Sequence, residues 1–302
     1  MIILLLILEQ VLLLLSFAVI GYALCKTGKV ENTSTKILST LEVNLFLPAT
    51  VFNTFSSNFT PTYLRQKYVL ILASAITLVV VALAAHPVAK SLAKDDYQKN
   101  VFHYSLVVPN YGYMGYALAG GIFGSEMLLD VMVFALPLSL YTYTIGYNML
   151  TKSPISLKRL VNPVVLSILA GMYVGFIGIE LPSVATNFLS KAAACMGPIS
   201  MLLSGMVISQ YKFAELFRNK ASYLIGLLRL IIIPCAAAII LHALSLQELI
   251  IPSIMLLAMP CGLNTIVFPQ LVGEDCYTGA SLALVTNLLC LVTIPLCLLL
   301  FS

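Results

Sequence analysis

Long apolar runs separated by short polar stretches dominate the chain. Ten of these runs approach the roughly 20 residues that an α-helix needs to cross a hydrocarbon core of about 30 Å. The runs are continuous and do not alternate apolar with polar residues, which excludes a membrane β-barrel. The pattern predicts an all-α integral membrane protein with ten spans, near residues 1–24, 37–57, 68–89, 101–123, 127–150, 160–179, 187–209, 221–243, 248–272 and 277–301.

The composition supports a membrane protein and excludes several other classes. Of the 302 residues, 60% are hydrophobic and 9% are charged, whereas an average soluble domain has about 25% charged residues. So few charges cannot cover a water-exposed surface, which excludes a soluble enzyme, a nucleic-acid-binding protein and a disordered chain. The seven cysteines form no C-x-x-C pair, and the three histidines lack metal-ligand spacing. We therefore expect no metal, no cofactor and no enzymatic activity.

The basic residues predict the orientation of the spans. Twelve of the sixteen Lys and Arg residues lie in the connections that follow spans 1, 3, 5 and 7. Because basic loops stay in the cytoplasm, both termini are predicted to lie outside. We expect a bacterial inner (plasma) membrane, with membrane lipid around the protein.

Prolines recur at matching positions in the two halves of the chain. Pro48 corresponds to Pro198, 150 residues later, and Pro109 corresponds to Pro260, 151 residues later. Each half contains five spans, and an odd number forces the second half to enter the membrane with opposite polarity. Such inverted repeats are characteristic of secondary transporters. The predicted organisation is a first repeat (1–150), a short cytoplasmic linker (151–159) and a second repeat (160–302).

Spans 4 and 9 carry the candidate binding site. Each places proline, glycine and asparagine near its middle: Pro109, Asn110 and Gly112 in span 4, Pro260 and Asn264 in span 9. Proline and glycine break helices, and non-helical backbone at membrane depth is tolerated only inside protein or beside a cavity. Simple proline kinks are the alternative, but matching breaks in both halves favour a transport site. We expect the breaks to cross near the midplane and to offer helix N-termini to an anion.

Further polar residues within the spans are secondary candidates. Asn44, one turn before Pro48, either contacts substrate or forms an interhelical hydrogen bond. Ser200 and Ser204 are its counterparts on span 7. Arg229 in span 8 either attracts a carboxylate or extends its side chain to the interface.

Acidic residues are scarce in the spans. Glu9 and Glu42 are weaker candidates for proton carriers, and neither predicted break contains Asp or Glu. Coupling through a carboxylate at the breaks is therefore not supported, and export of an anion from a negative-inside cell needs no cation. Gly171 and Gly175 form a G-x-x-x-G pair on span 6, which marks either internal packing or a dimer contact.

Six segments occur in an order that resembles one known family. They are NLFLPATVF (44–52), VPNYGYMGYALAGGIFG (108–124), NPVVLSILAGMYVG (162–175), GPISMLLSGMVIS (197–209), MPCGLNTIVFPQLVG (259–273) and TNLLCLVTIP (286–295). Together they resemble the auxin efflux carrier family of permeases. That family includes the plant PIN-FORMED auxin exporters and bacterial permeases described as malate or malonate transporters.

The resemblance implies a fold similar to sodium/proton antiporters and bile-acid symporters. Spans 1, 2, 6 and 7 would form a scaffold that dimerises, and spans 3–5 and 8–10 a transport domain that moves as an elevator. The family's crossover corresponds here to Pro109, Asn110, Gly112, Pro260 and Asn264. The long central loop of the plant carriers is absent.

The function expected from the sequence is secondary transport of a small organic anion, auxin-like or malate/malonate-like, with uncoupled efflux as one mode open to it. A non-transporting receptor or sensor of the same fold is one alternative. Others are a channel and a proton- or sodium-coupled carrier of another small solute. A carrier saturates and shows counterflow, whereas a channel does not.

Overall fold

A computed structural model describes residues 2–31, 33–154, 158 and 161–301 of the chain. Helices make up nearly all of this part, and it contains no β-strand beyond one isolated bridge. Before residue 155 the helices are α1 (Ile2–Lys26), α2 (34–58), α3 (Pro61–Lys67), α4 (Val69–Leu92), α5 (Asp96–Val107), α6 (Tyr111–Phe134) and α7 (136–151). After residue 160 they are α8 (Pro163–Ile177), α9 (Ser183–Ile208), α10 (Phe213–Leu216), α11 (Lys220–Ala243), α12 (Ile250–Leu257), α13 (Asn264–Val272) and α14 (Tyr277–Phe301).

Every predicted apolar segment contains helix, and in two of the segments several non-helical residues separate two helices, at 108–110 and at 258–263. Segment 4 is divided into α5 and α6, and segment 9 into α12 and α13. Six helices in the described chain are long and apolar enough to cross a membrane: α1 (from Leu5), α4, α6, α9, α11 and α14. The all-helical membrane architecture predicted from the sequence is confirmed at this level.

The predicted boundary between segments 4 and 5 coincides with a break in α6. The sequence ends segment 4 at residue 123 and begins segment 5 at residue 127, and the structure has non-helical backbone at Gly124. Gly124 has φ 82° and ψ −172°, a conformation open essentially to glycine alone. This kink separates the helix before Gly124 from the helix that runs on to Phe134, with no longer loop between them.

Four π-helical turns interrupt the helices of the described chain. They are Glu42–Phe46 in α2, Tyr111–Gly115 in α6, Thr142–Gly146 in α7 and Leu228–Ile232 in α11. A π turn inserts an extra residue into the helix and often marks a functional site. Three of these turns bring side chains to the two helix breaks: Tyr113, Tyr143 and Arg229.

Helices α1, α2, α8 and α9 pack against one another through glycines. On α9, Gly205 lies directly against the backbone of Ala18 in α1. On α8, Gly171 and Gly175 lie against the backbone of α2 between residues 52 and 59. The G-x-x-x-G pair on α8 is thus occupied by packing within the chain, the first of the two alternatives that the sequence left open.

Candidate functional site

The two helix breaks lie side by side in the core. Pro109 and Cys261 form an isolated antiparallel bridge. The backbone N–H of Asn110 donates to the carbonyl of Pro260 at 2.8 Å, and the N–H of Gly262 donates to the carbonyl of Val108 at 3.1 Å. Each break therefore satisfies backbone groups of the other, as a buried non-helical segment requires. The predicted meeting of the two breaks is observed.

Local chemistry explains why the helices stop here. Pro109 and Pro260 have no N–H to donate to the preceding turn, and Val108 before Pro109 is extended, with φ −108° and ψ 108°. A Cβ on Gly262 would lie 2.8 Å from the carbonyl oxygen of Val108 and 3.2 Å from the ring of Tyr104. Only glycine permits this approach of the two backbones.

Arg229 compensates the carbonyl groups that the breaks leave free. In continuous helices the carbonyls of Leu106 and Leu257 would accept from the N–H groups of Asn110 and Cys261. Those N–H groups bond instead to Pro260 and, at 3.1 Å, to Thr286 Oγ1. Arg229 Nη1 donates to the Leu106 carbonyl and Nη2 to the Leu257 carbonyl, both at 2.6 Å.

This position also places a positive charge at two negative helix ends. Leu106 lies in the last turn of α5, and Leu257 ends α12. A cation at a helix C-terminus opposes the negative end of the helix dipole. The Arg229 side chain is 0% exposed and does not line the cavity described below. Its placement thus differs from both roles that the sequence left open.

The N-termini of α6 and α13 border a small closed cavity. Its free volume is about 20 Å³, enough for about one water molecule. The lining comes from both breaks and from α2, α6, α7 and α8: Leu47, Val51, Pro109, Asn110, Tyr111, Gly112, Tyr113, Tyr116, Ser139, Tyr143, Val164, Ile168, Leu263 and Asn264. The lining contains no Asp, Glu, Lys, Arg or His. In this conformation the cavity is closed to any organic molecule.

Asn110 brings an unsatisfied carboxamide to this cavity. Its side chain is 2% exposed, and neither Oδ1 nor Nδ2 has a hydrogen-bond partner in the described chain. Its backbone carbonyl accepts from the N–H groups of Met114 and Gly115, which fixes the start of α6. An unpaired buried polar group costs about 1–3 kcal/mol and is uncommon. Such a group beside a cavity is therefore a candidate ligand-binding group.

Asn264 is the counterpart of Asn110 in the second half of the chain, and both its Oδ1 and its Nδ2 form hydrogen bonds. The Tyr113 hydroxyl donates to Asn264 Oδ1 at 3.0 Å, and Asn264 Nδ2 donates to the Tyr104 hydroxyl at 2.9 Å. The side chain is 8% exposed and links α13 to α5 and α6. Its carboxamide holds the two halves of the chain together at the breaks.

Tyrosines form much of the cavity wall, and the sequence analysis did not identify them. Tyr111 shares a hydrogen bond of 3.2 Å with Ser139 Oγ, and its ring packs edge-on against Tyr116 with centroids 5.7 Å apart. Tyr143 packs against Phe268 at 6.0 Å. A useful signal was present, because three tyrosines within six residues of an apolar span need partners for their hydroxyl groups.

Comparison with known proteins establishes the family. The sequence model of the family described as Membrane transport protein matches residues 6–156 and 150–298. The chain belongs to this family. The match confirms the resemblance to the auxin efflux carriers, and the molecule is an integral membrane transporter. An uncharacterized transporter of Methanocaldococcus jannaschii is 26% identical over 306 residues, covering 95% of this chain and 96% of that protein.

Of the other residues predicted for the site, some lie at the cavity and others do not. Pro109 and Gly112 line the cavity, and Pro260 pairs with Asn110 just behind it. Asn44 is exposed, and its Nδ2 donates to the carbonyl of Thr40 in the same helix at 2.8 Å. Asn44 is therefore neither a cavity residue nor bonded to another helix in this conformation.

The two serines of α9 and the acidic residue of α1 also lie apart from the cavity. Ser200 is buried and donates to the carbonyl of Gly197 at 2.9 Å. Ser204 is buried, and its hydroxyl has no partner in the described chain. Neither serine lines the cavity, and Glu9 is exposed on α1. Among the described residues no group of three or more His, Cys, Asp or Glu is arranged to hold a metal ion.

Proposed function

We propose that this transporter is a secondary carrier for a small organic anion that binds between the two helix breaks. Membership of a transport family supports the class of function. The unpaired carboxamide of Asn110 at the start of α6 carries the assignment of the site. The carboxylate of a substrate would supply the partner that this group lacks.

The chemistry of the cavity favours an anion. The N-termini of α6 and α13 offer partial positive charge and free N–H groups to the same space. No carboxylate among the lining residues competes with an incoming one. The rings of Tyr111, Tyr116 and Tyr143 provide apolar contact for the rest of the molecule. Auxin-like and malate- or malonate-like acids satisfy this description.

Ten spans arranged as an inverted 5+5 repeat are the proposed topology. Helix occurs in all ten predicted segments, and the family model matches two successive stretches that divide the chain near residue 150. Residues 155–157 and 159 of the proposed linker (151–159) lie outside the described residues. The distribution of Lys and Arg supports cytoplasmic placement of this linker, with both termini outside.

An elevator motion is the proposed mechanism. Apolar side chains of Leu47 and Val51 from α2 and of Val164 and Ile168 from α8 form one side of the cavity. Helices α1, α2, α8 and α9, which correspond to spans 1, 2, 6 and 7, form the proposed scaffold. The breaks belong to the other helices, so sliding those helices along the scaffold would carry the site past this apolar barrier.

A homodimer through the scaffold is part of the proposal. Because Gly171 and Gly175 are occupied by α2, the contact would use another face of α8. That helix exposes large apolar side chains on its outer surface, among them Leu166, Leu169 and Tyr173. The same surface would contact membrane lipid in a single copy.

A thermal-shift experiment tests the anion site. Purified protein is melted with malonate, malate or indole-3-acetate, and with the neutral analogues malonamide and indole-3-acetamide. A ligand at 100 times its Kd stabilises the folded state by about 2.7 kcal/mol. We expect at least one acid to raise Tm, its neutral analogue to have no effect, and Asn110→Ala to abolish the shift.

Asn44→Ala is the matched control, because it removes a carboxamide that is exposed on α2 and does not line the cavity. It should melt and respond like the unmodified protein. A shift from an acid that persists in Asn110→Ala would refute the site. Neutral analogues that stabilise as well as the acids would refute the anion.

A further inference from the structure

Glu42 is a fully buried carboxyl group with no hydrogen-bond partner in the described chain. Its side chain is 0% exposed, and both Oε1 and Oε2 lack a donor. No ion pair involving Glu42 is present among the described residues, and it opens the π turn Glu42–Phe46 of α2. Glu9, by contrast, is exposed on α1.

The neighbouring contacts place Glu42 close to the substrate site. About one and a half turns further along α2, the side chain of Leu47 lies beside Gly112. A Cβ built on Gly112 would stand 3.7 Å from Leu47 Cδ1. Two turns earlier, Thr35 bonds to Gln270 near the end of α13 at 3.3 Å. Glu42 thus lies on α2 between the breaks and the C-terminal end of α13. The Tyr113 hydroxyl, which holds Asn264, is within electrostatic range of its carboxyl group.

None of the helices that surround the π turn offers a counter-charge. The turn packs against α8 and α9 as well as against the rest of α2. Helix α8 has no Asp, Glu, Lys, Arg or His, and its Tyr173 is exposed. The ionisable groups of α9 are Lys191 and Cys195, both exposed, and α13 has none. Lys36 of α2 is also exposed, and Lys158, which lines a surface cavity together with Val43 of the π turn, is exposed as well.

A carboxyl group in this setting carries a proton. A charged carboxylate without a cation or a donor pays a large desolvation penalty, and it takes up a proton rather than remain ionised. We propose that Glu42 is a proton-binding site and that its proton is bound and released in step with the anion at the helix breaks. The proposal rests on the proposed function and replaces its uncoupled mode with proton-coupled transport.

The balance of the proposed step is simple. A proton from water on one side binds the Glu42 carboxylate and forms a neutral acid, which is stable in the buried position seen here. Because α2 belongs to the proposed scaffold, Glu42 stays in place, and sliding of the other helices past it would open it to water on the other side, where the same proton is released. Cotransport of one proton with a monovalent carboxylate moves no net charge.

Infrared difference spectroscopy tests the proton directly. Purified wild-type protein, Glu42→Gln and the matched control Glu9→Gln are titrated in D₂O from acidic to alkaline pH. We expect a carbonyl band of a protonated carboxylic acid at neutral pH in wild type and in Glu9→Gln, and its loss in Glu42→Gln. Glutamine is nearly isosteric with the neutral acid, so Glu42→Gln should retain the wild-type Tm. Absence of the band at neutral pH in wild type would overturn the proton site.

Coupling between the proton on Glu42 and the binding of an anion is measured on the same samples and in vesicles. Malonate or indole-3-acetate is added at neutral pH, and a pH dye trapped in proteoliposomes reports proton movement during flux of the same acid. We expect the band to change on binding, and the proton flux to fall to background in Glu42→Gln but not in Glu9→Gln. An acid that binds through Asn110 yet leaves the band and the dye unchanged would overturn the coupling. If no acid binds, the proposed function fails, while the titration still decides the proton site.

Discussion

The two helix breaks are alike in sequence and unlike in the state of their asparagines. Both contain proline, glycine and asparagine, and their backbones pair with each other. Asn110 has a buried carboxamide without a partner, whereas the carboxamide of Asn264 is bonded to Tyr113 and Tyr104. The two breaks thus share a backbone arrangement while their side chains differ in bonding. In the proposed function the first break presents a group for recognition, and the second fixes the frame that holds it.

The first prediction concerns Arg229, which serves both breaks at once. Arg229→Met removes two hydrogen bonds from a charged donor, each worth about 1.5–3 kcal/mol. We expect the largest loss of stability among the variants considered, about 3–5 kcal/mol, measured by unfolding in detergent. Arg229→Lys keeps the charge but cannot span the Leu106 and Leu257 carbonyls, and it should recover only part of the loss. Wild-type stability in Arg229→Met would show that the two carbonyls do not depend on the cation.

The second prediction separates the two asparagines through binding. Asn110→Ala removes hydrogen bonds to a charged ligand, and we expect its affinity for the stabilising acid to fall by about 1.5–3 kcal/mol, or roughly 10- to 150-fold. Its Tm without ligand should stay the same or rise, since the substitution removes an unsatisfied buried group. Isothermal titration calorimetry and melting measure the two quantities. A fall in Tm with unchanged affinity would reverse the roles assigned to the breaks.

The third prediction is the converse behaviour of Asn264. Asn264→Ala removes the acceptor of the buried Tyr113 hydroxyl and one of the partners of the buried Tyr104 hydroxyl, at a cost of about 1–3 kcal/mol. We therefore expect a lower Tm in the absence of any ligand. Equal melting of Asn264→Ala and Asn110→Ala would remove the distinction between the two breaks.

The fourth prediction is smaller and uses the tyrosines. Tyr104→Phe and Tyr113→Phe each remove one hydrogen bond of the Asn264 pair, and we expect losses of about 0.5–1.5 kcal/mol. In double-mutant cycles with Asn264→Ala the losses should not add, because the bonds share one carboxamide. Tyr116→Phe, whose hydroxyl makes no contact with Asn264 among the hydrogen bonds described above, is the control. Full additivity would show that the bonds contribute nothing to stability.

The sequence predicted the positions of the helices and the meeting of the breaks because these depend on local chemistry. A long run of apolar residues favours a membrane-spanning helix, and a proline with glycine close after it, as at Pro109 and Pro260, favours a break. Proline alone does not decide, because Pro87, Pro198, Pro269 and Pro295 lie inside helices. The partners of Arg229 could not be predicted in this way. They are backbone carbonyls 123 and 28 residues away along the chain, and every residue has a carbonyl.

The sequence also could not predict how α2 is rotated about its own axis. Glu42 and Asn44 are two residues apart, which in a helix of about 3.6 residues per turn places them on nearly opposite faces. The position of Asn44 one turn before Pro48 predicts that it lies on the inner face, whereas the structure buries Glu42 and exposes Asn44. A membrane helix is apolar on all sides, so no polar stripe indicates its outer face. The π turn at Glu42–Phe46 then shifts the register further.

The tyrosines that line the cavity make the intrinsic fluorescence of the protein sensitive to what enters the cavity. The chain has fifteen tyrosines and no tryptophan, so its ultraviolet emission comes from phenol rings alone. Four of those rings, Tyr111, Tyr113, Tyr116 and Tyr143, stand in the wall of the cavity. A carboxylate without an indole ring, such as malonate, should quench them or alter their hydrogen bonds on entering, and the protein has no tryptophan emission to mask the change. Occupancy of the site can thus be followed in real time without a label, and opening of the cavity to water should be visible in the same signal.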